Sequence, residues 1–217
     1  MSKLRLYDYS ASCNCYKVRL LLAQLGLDYE RVPVDIFNGD TLTDEYTRMN
    51  PAQTTPVVQT VDGRHLPESN AILAYLADGT AFSSQDPFER GEILRWLIYE
   101  QTDIVPAIGG LRFRLLVGRW QPSDAAAVRR KEAGEHALRL LENHLAGQDF
   151  FVGDSYTIAD IAIYGYTHRA HEAGIDMKPY CNLRGWFERV ERQPGYFEDV
   201  EPYGANAAPG AGRSVYE

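Results

Sequence analysis

Ser12 and Cys15 stand three positions apart in the run SASCNCYKVRLLL, residues 10–22, where a strand-like pattern gives way to helical spacing. The spacing is that of a redox C-x-x-C pair whose first cysteine has become serine. A group at a helix N-terminus faces unpaired N–H donors and the positive end of the macrodipole, which favour negative charge. A cysteine there would be ionised more easily; a serine cannot be a thiolate. Its hydroxyl can instead donate a hydrogen bond to a thiolate that a substrate brings. A free thiol has a pKa of about 8.5, and each unit of depression corresponds to about 1.4 kcal/mol of anion stabilisation. The plainer reading is that Ser12 only caps the helix and that Cys15 is a small buried residue on the face shared with Val18 and Leu22. Cys13 is either an exposed thiol beside the site or a packed side chain.

Two further stretches add chemistry. TTPVV (54–58) sets Pro56 at the start of a strand. Thioredoxin-like folds carry a cis-proline there, opposite the active-site helix, and a cis Thr55–Pro56 bond is expected. Thr55 would then present its backbone to a peptide as a sheet edge does. PESNAI (67–72) opens a helix with Glu68 and Ser69. A carboxylate at that point can pair with an α-ammonium, and a hydroxyl with N–H groups can hold an α-carboxylate, which suits the end of a small zwitterionic peptide. A strand-start proline and a simple helix cap are the alternatives.

These groups need a frame. Residues 3–9 alternate as a strand; Val18, Leu21, Leu22 and Leu25 recur at helical spacing, with Gly26 as a stop. Strand character returns at 28–36, and 43–49 makes a short helix. Residues 55–66 read as a hairpin with Asp62-Gly63 at its turn, and 68–77 as a helix. The order β-α-β-α-β-β-α describes an α/β unit over residues 1–77. Residues 78–86 read as a linker, and 87–217 as an all-helical domain. Its first helix opens at Asp86-Pro87, and Pro106 with Gly109-Gly110 should kink or split it. A second spans about 123–146. A third is opened by a capping box, Thr157 with Asp160, with Tyr156 and Ile161 as a hydrophobic staple. A fourth covers 182–192. The tail from residue 200 reads as loose or draped over the surface.

Composition excludes several classes. The chain has 217 residues, 45% of them hydrophobic, and a formal charge of −8. A nucleic acid partner wants a basic face, so none is expected. No run reaches the ~18 apolar residues of a membrane span. Three cysteines do not make a secreted disulfide framework. A soluble protein of the cytoplasm is the expectation. His168, His171 and Glu172 lack an evident third protein ligand, so no metal is expected.

In this order and spacing, SxxCYKVRLLLAQLGLDYE, NPAQTTPVV, LPESNAILAYLA and YTIADIAIYGY resemble the signatures of the glutathione S-transferase superfamily, over about 200 residues. The resemblance implies a thioredoxin-like N-terminal domain, an all-α C-terminal domain, glutathione as a substrate and a homodimer. It places Ser12 where theta- and zeta-like classes carry their catalytic serine. It implies that Thr55 and Pro56 meet the cysteinyl backbone of glutathione and that Glu68 and Ser69 hold its γ-glutamyl end. Gln53 and Thr54 stand where the family commonly has a glycine and a carboxylate-binding lysine, and Thr41 stands near where theta-like members have a histidine. The small electrophile is expected between the domains, beside Trp96, Tyr99, Arg112 and Phe113. Glu100 and Gln101 would face a second subunit. Tyr7 and Tyr9 close the first strand near the place of a catalytic tyrosine and rank behind Ser12. The resemblance leaves two other readings open: a glutathione-dependent disulfide reductase or peroxidase, with Cys13 as the candidate thiol, and a non-catalytic scaffold.

Overall fold

Leu6 and Asp8 are the buried positions of β1 (Leu4–Asp8), one apolar and one charged, and that pairing organises the first unit. The computed structural model describes residues 3–216. After β1 come α1 (Cys13–Gln24), β2 (Tyr29–Pro33), α2 (Asp44–Met49), β3 (Val57–Gln59), β4 (His65–Pro67) and α3 (Ser69–Ala77). The sheet order is β2-β1-β3-β4. β1 and β2 run parallel, which requires the crossover that α1 supplies; β3 is antiparallel to both β1 and β4.

Every residue of α1 from Cys15 to Leu22 is buried, Lys17 and Arg19 included. Buried cations must be paired. Lys17 donates to Asn70 at 3.1 Å. Arg19 sits between two carboxylates, Asp8 at 2.5 Å and Asp199 at 2.6 Å. Arg31 of β2 takes the other oxygen of Asp8. Burial alone would make Arg19 easier to deprotonate; the hydrogen bonds and charges of Asp199 and Asp8 outweigh it, so its pKa is raised.

Asp199 immediately precedes the tail expected to be loose or draped over the surface, and of the two the structure shows a tail laid on the first unit. The two compact units are residues up to Leu76 together with those from Phe197 on, and Ala77–Tyr196. The Tyr16 hydroxyl donates to the Phe197 carbonyl at 2.8 Å, Ser10 donates to Glu201 at 2.8 Å, and Asn206 donates to Asp35 at 2.8 Å. Tyr203 packs on Tyr9 and Phe37. The glycines and alanines connect these anchors and gave the stretch its loose look.

In the second unit, α4 (Pro87–Tyr99) starts as expected, with Asp86 accepting from the Phe88 and Glu89 amides. The expected kink or split takes the form of a change of winding rather than a gap. From Glu100 to Gly109 the helix widens to π geometry and then continues as α5 (Gly110–Leu116). Wider turns tolerate the missing N–H of Pro106 without ending the helix. At Gly109 a side chain is excluded: a Cβ would lie 2.6 Å from the Tyr166 ring. α6 (Ala125–His144), α7 (Ile158–Thr167) and α8 (Cys181–Glu191) complete the unit.

The capping box of α7 forms, and its acid does more than cap. Asp160 is fully buried and accepts from four donors: the amides of Phe151 and Thr157, the Thr157 hydroxyl, and the Trp186 indole at 2.9 Å. The Phe151 carbonyl accepts in turn from Trp96 at 3.2 Å. Burial pushes the Asp160 carboxyl up to about 6 against the pull of those donors, so it is still an anion at neutral pH. An amide there would turn an N–H₂ toward N–H donors. Asp160→Asn is therefore expected to cost about 2–4 kcal/mol of stability by denaturant titration; a loss below about 0.5 kcal/mol would show that the hub is not structural.

Candidate functional site

Ser12 is the N-cap of α1, with extended backbone, and its side-chain oxygen accepts from the Cys15 amide at 3.3 Å. The oxygen is thereby committed as an acceptor, and the hydroxyl proton remains a donor. Cys15 is buried beneath it; the Tyr9 amide donates to its sulfur at 3.4 Å, and the Thr55 and Ser12 hydroxyls contact it. Burial and then the charge of Asp8 push the Cys15 thiol up to about 12, so it stays protonated. Cys13 is 1% exposed. Neither thiol is an accessible nucleophile.

A second helix start lies alongside. Ser69, the first residue of α3, is buried and donates to the Asn14 side chain at 3.3 Å. Asn14 is in the first turn of α1, so this bond ties two helix N-termini together. Glu68 is exposed just before it, with φ +73°. Among the described residues only Glu68 and Gln53 are non-glycine residues with positive φ, and both are candidate ligand residues from the sequence. Such backbone is costly for a side-chain-bearing residue and concentrates at functional positions.

The segment between them is braced from below. The Thr55–Pro56 peptide is cis. The Thr54 carbonyl accepts from the Tyr46 hydroxyl at 2.8 Å and from Asn50 at 2.9 Å, and Gln53 donates to Thr47 at 3.0 Å. Thr41 is fully buried, and its hydroxyl has no hydrogen-bond partner among the described residues. Tyr216 packs obliquely on Phe37, ring centroids 6.3 Å apart.

Two family models match this chain: the N-terminal domain of glutathione S-transferase over residues 11–78, and its C-terminal domain over residues 103–194. The glutathione S-transferase from Pseudomonas fluorescens Pf-5 is 38% identical; the alignment covers 92% of this chain and all of that one, with a TM-score of 0.88. The chain belongs to the glutathione S-transferase superfamily. Glutathione S-transferase stcT of Emericella nidulans is 33% identical over 155 residues, 70% of this chain and 71% of that protein. Elongation factor 1-gamma of Artemia salina is 30% identical over 188 residues, 84% of this chain; the chain spans only 43% of that protein.

Within this glutathione S-transferase fold, the sequence-derived residues fall into two groups. Ser12, Glu68 and Ser69 stand at the two helix starts, together with Asn14, which sequence reasoning passed over, and Thr55 reaches the same Cys15 that Ser12 caps. The signal of Asn14 was its place in the first turn after Ser12, where an asparagine reads simply as helix start. The electrophile candidates fare differently. Trp96 is 1% exposed and packed against His144 and Phe151. Arg112 is 2% exposed and paired with Glu172. Both are interior residues of the helical unit rather than pocket walls. Tyr99 is half-buried and donates to the Ala137 carbonyl; Phe113 lies under the Arg119 guanidinium. Glu100 is buried, and the exposed Gln101 donates to it at 2.8 Å. Tyr9 is buried, and burial foremost pushes its hydroxyl up to about 12, so it keeps its proton. Among the described residues no group of three or more His, Cys, Asp or Glu could hold a metal, and no helix is long and apolar enough to cross a membrane.

The burial pattern makes a direct prediction about thiols. Cys181 is exposed, whereas Cys13 and Cys15 are not. A thiol-exchange titration of the folded chain is expected to show one fast thiol, lost in Cys181→Ser, and two that react only on denaturation. A second fast thiol in native protein would mean that Cys13 reaches solvent.

Proposed function

We propose that this chain is a glutathione transferase of the serine type: it binds glutathione and holds its sulfur as a thiolate for attack on a small electrophile. The observation that carries the reading is the Ser12 hydroxyl, poised as a donor at the mouth of α1, beside a second helix N-terminus. The thiolate would attack an electrophilic atom, forming the C–S bond, while a leaving group departs or the displaced electron pair is protonated. Ser12 would donate to the sulfur before attack; the aligned N–H dipoles of α1 add to the same field. Thr55 would pair with the cysteinyl backbone. Glu68 would meet the α-ammonium of the γ-glutamyl end, with Ser69 and its partner Asn14 on the carboxylate side. Gln53, Thr54 and the unpartnered Thr41 hydroxyl are the candidates for the glycyl carboxylate. Tyr99 and Phe113 remain candidates for contact with the electrophile.

The reading extends to a cytoplasmic homodimer with a role in detoxification. Support for the dimer is the exposure of Leu94 and Ile98, one turn apart on α4. The likeness to elongation factor 1-gamma keeps a non-catalytic role as the second reading. Burial of Cys13 argues against a disulfide reductase that uses that thiol.

Ser12→Ala is expected to leave retention on immobilised glutathione intact and to lower kcat/KM about 10–100-fold, matching the ~1.5–3 kcal/mol of a hydrogen bond to a charged group. Unchanged turnover in the variant overturns the role of Ser12. Retention without turnover on any electrophile in the parent favours the scaffold.

A further inference from the structure

Tyr9 to Ser12 form the tight turn that carries β1 into α1. The Ser12 amide donates to the Tyr9 carbonyl at 3.0 Å, with Ser10 and Ala11 at the corner. This turn decides where the Ser12 hydroxyl stands. Two contacts hold its ends: the Tyr9 amide donates to the Cys15 sulfur at 3.4 Å, and Ser12 accepts from the Cys15 amide. Both run to the same residue of α1, and neither holds Ser10. A connecting turn left to itself is among the more mobile parts of a fold. A group that must act on one atom of a ligand has to be fixed to within about 0.5 Å.

The corner is held from the far end of the chain. The Glu201 amide donates to the Ser10 carbonyl at 3.2 Å, and the Ser10 hydroxyl donates back to the Glu201 carboxylate at 2.8 Å, across 191 positions of sequence. Such a reciprocal pair fixes direction as well as distance, because each residue is both donor and acceptor. The same Ser10 carbonyl lies 3.5 Å from Arg19 Nη2, the nitrogen that Asp199 grips at 2.6 Å. Tyr203 sets its ring beside Tyr9, centroids 6.3 Å apart, and beside Phe37, 6.5 Å apart. Asp199, Glu201 and Tyr203 alternate along a stretch that is neither helix nor strand. A period of two is that of an extended chain presenting every second side chain to one face. The next anchor, Asn206 on Asp35 at 2.8 Å, joins the tail to a residue outside the turn.

We infer that the tail segment 199–203 is a positioning element for Ser12: Glu201 and Tyr203 fix the turn from Tyr9 to Ser12 and thereby aim the Ser12 hydroxyl at the sulfur of a bound thiol. The inference rests on the reading of Ser12 given above. Glu201 and Tyr203 act through Ser10 and Tyr9, so they are positioning residues and not catalytic ones. Asp199 contributes from beneath, by holding the Arg19 guanidinium against the Ser10 carbonyl.

The double variant Glu201→Ala/Tyr203→Ala, made in the full chain, removes both side-chain holds. Two measurements on it test the inference. Amide hydrogen exchange at Cys15, whose N–H is bonded by the Ser12 oxygen, is expected to quicken about fivefold or more, with exchange in the core of α7 unchanged. The thiol of bound glutathione, titrated by its ultraviolet absorbance, is expected to recover at least about half of the upward shift that Ser12→Ala produces, while the Kd for glutathione changes less than about threefold. A purely structural tail would not move the midpoint at constant affinity. Glu201→Gln keeps an acceptor for the Ser10 hydroxyl and should hold the parent midpoint. Asn206→Ala frees the tail from Asp35 alone and should hold it too. Cys15 exchange equal to the parent's, a parent midpoint in the double variant, or an Asn206→Ala shift as large as the double variant's overturns the inference. A midpoint that moves in Ser12→Ala but not in the double variant removes this inference alone. One that does not move in Ser12→Ala removes the reading of Ser12 itself.

Discussion

The first turn of α1 is the constraint on which the rest of the site depends. Its N–H groups have no partners inside the helix, and the helix itself is buried along two turns. One orphan is met by Ser12, which accepts the Cys15 amide. The positive end of the helix dipole favours an anion at this point. A residue that caps with its oxygen and still has a proton to give adds a donor there without adding a charge. A cysteine at residue 12 would have put a thiolate there; serine leaves the place for another molecule's sulfur.

Holding that turn in position takes charge as well as packing. A helix whose buried faces include Arg19 can dock on the sheet only if the guanidinium is matched, and Asp8 of β1 matches half of it. Asp199 completes the match from 180 residues away. The tail is thus part of the N-terminal unit, and its last described turn brings Tyr216 next to Phe37. The helical unit solves the same problem at Asp160, where one buried carboxylate gathers the starts and loops of its helices around four hydrogen bonds. In both units the polar core is a charge surrounded by designated partners, which fixes one arrangement where apolar contacts alone would allow several.

Much of this was legible in the sequence because local signals agreed with the global fold. The strand and helix order, the cap at Asp86, the box at Thr157 and Asp160 and the cis bond before Pro56 all rest on residues close together in the chain. What was not legible rests on partners far apart. Strand character extends to residue 36, but β2 ends at Pro33, beyond which Val34 donates to Asp8 across the sheet edge. Pro106 with Gly109-Gly110 reads as a kink or split, and the structure shows a π segment there, with Gly109 set against the Tyr166 ring. Trp96 and Arg112 have the residue types of a pocket and are core instead, because Phe151 and Glu172 claim them. Asn14 gains meaning only when Ser69, far along the chain, arrives beside it.

The account stands or falls on the ionisation of a bound thiol. Titrating glutathione's thiolate by its ultraviolet absorbance, in complex with this chain and with Ser12→Ala, measures it directly. The midpoint in the parent complex is expected at least about one unit below the ~8.5 of a free thiol, and the variant should return most of that depression. A midpoint at the free-thiol value, or one equally depressed in the variant, contradicts the role given to the Ser12 hydroxyl.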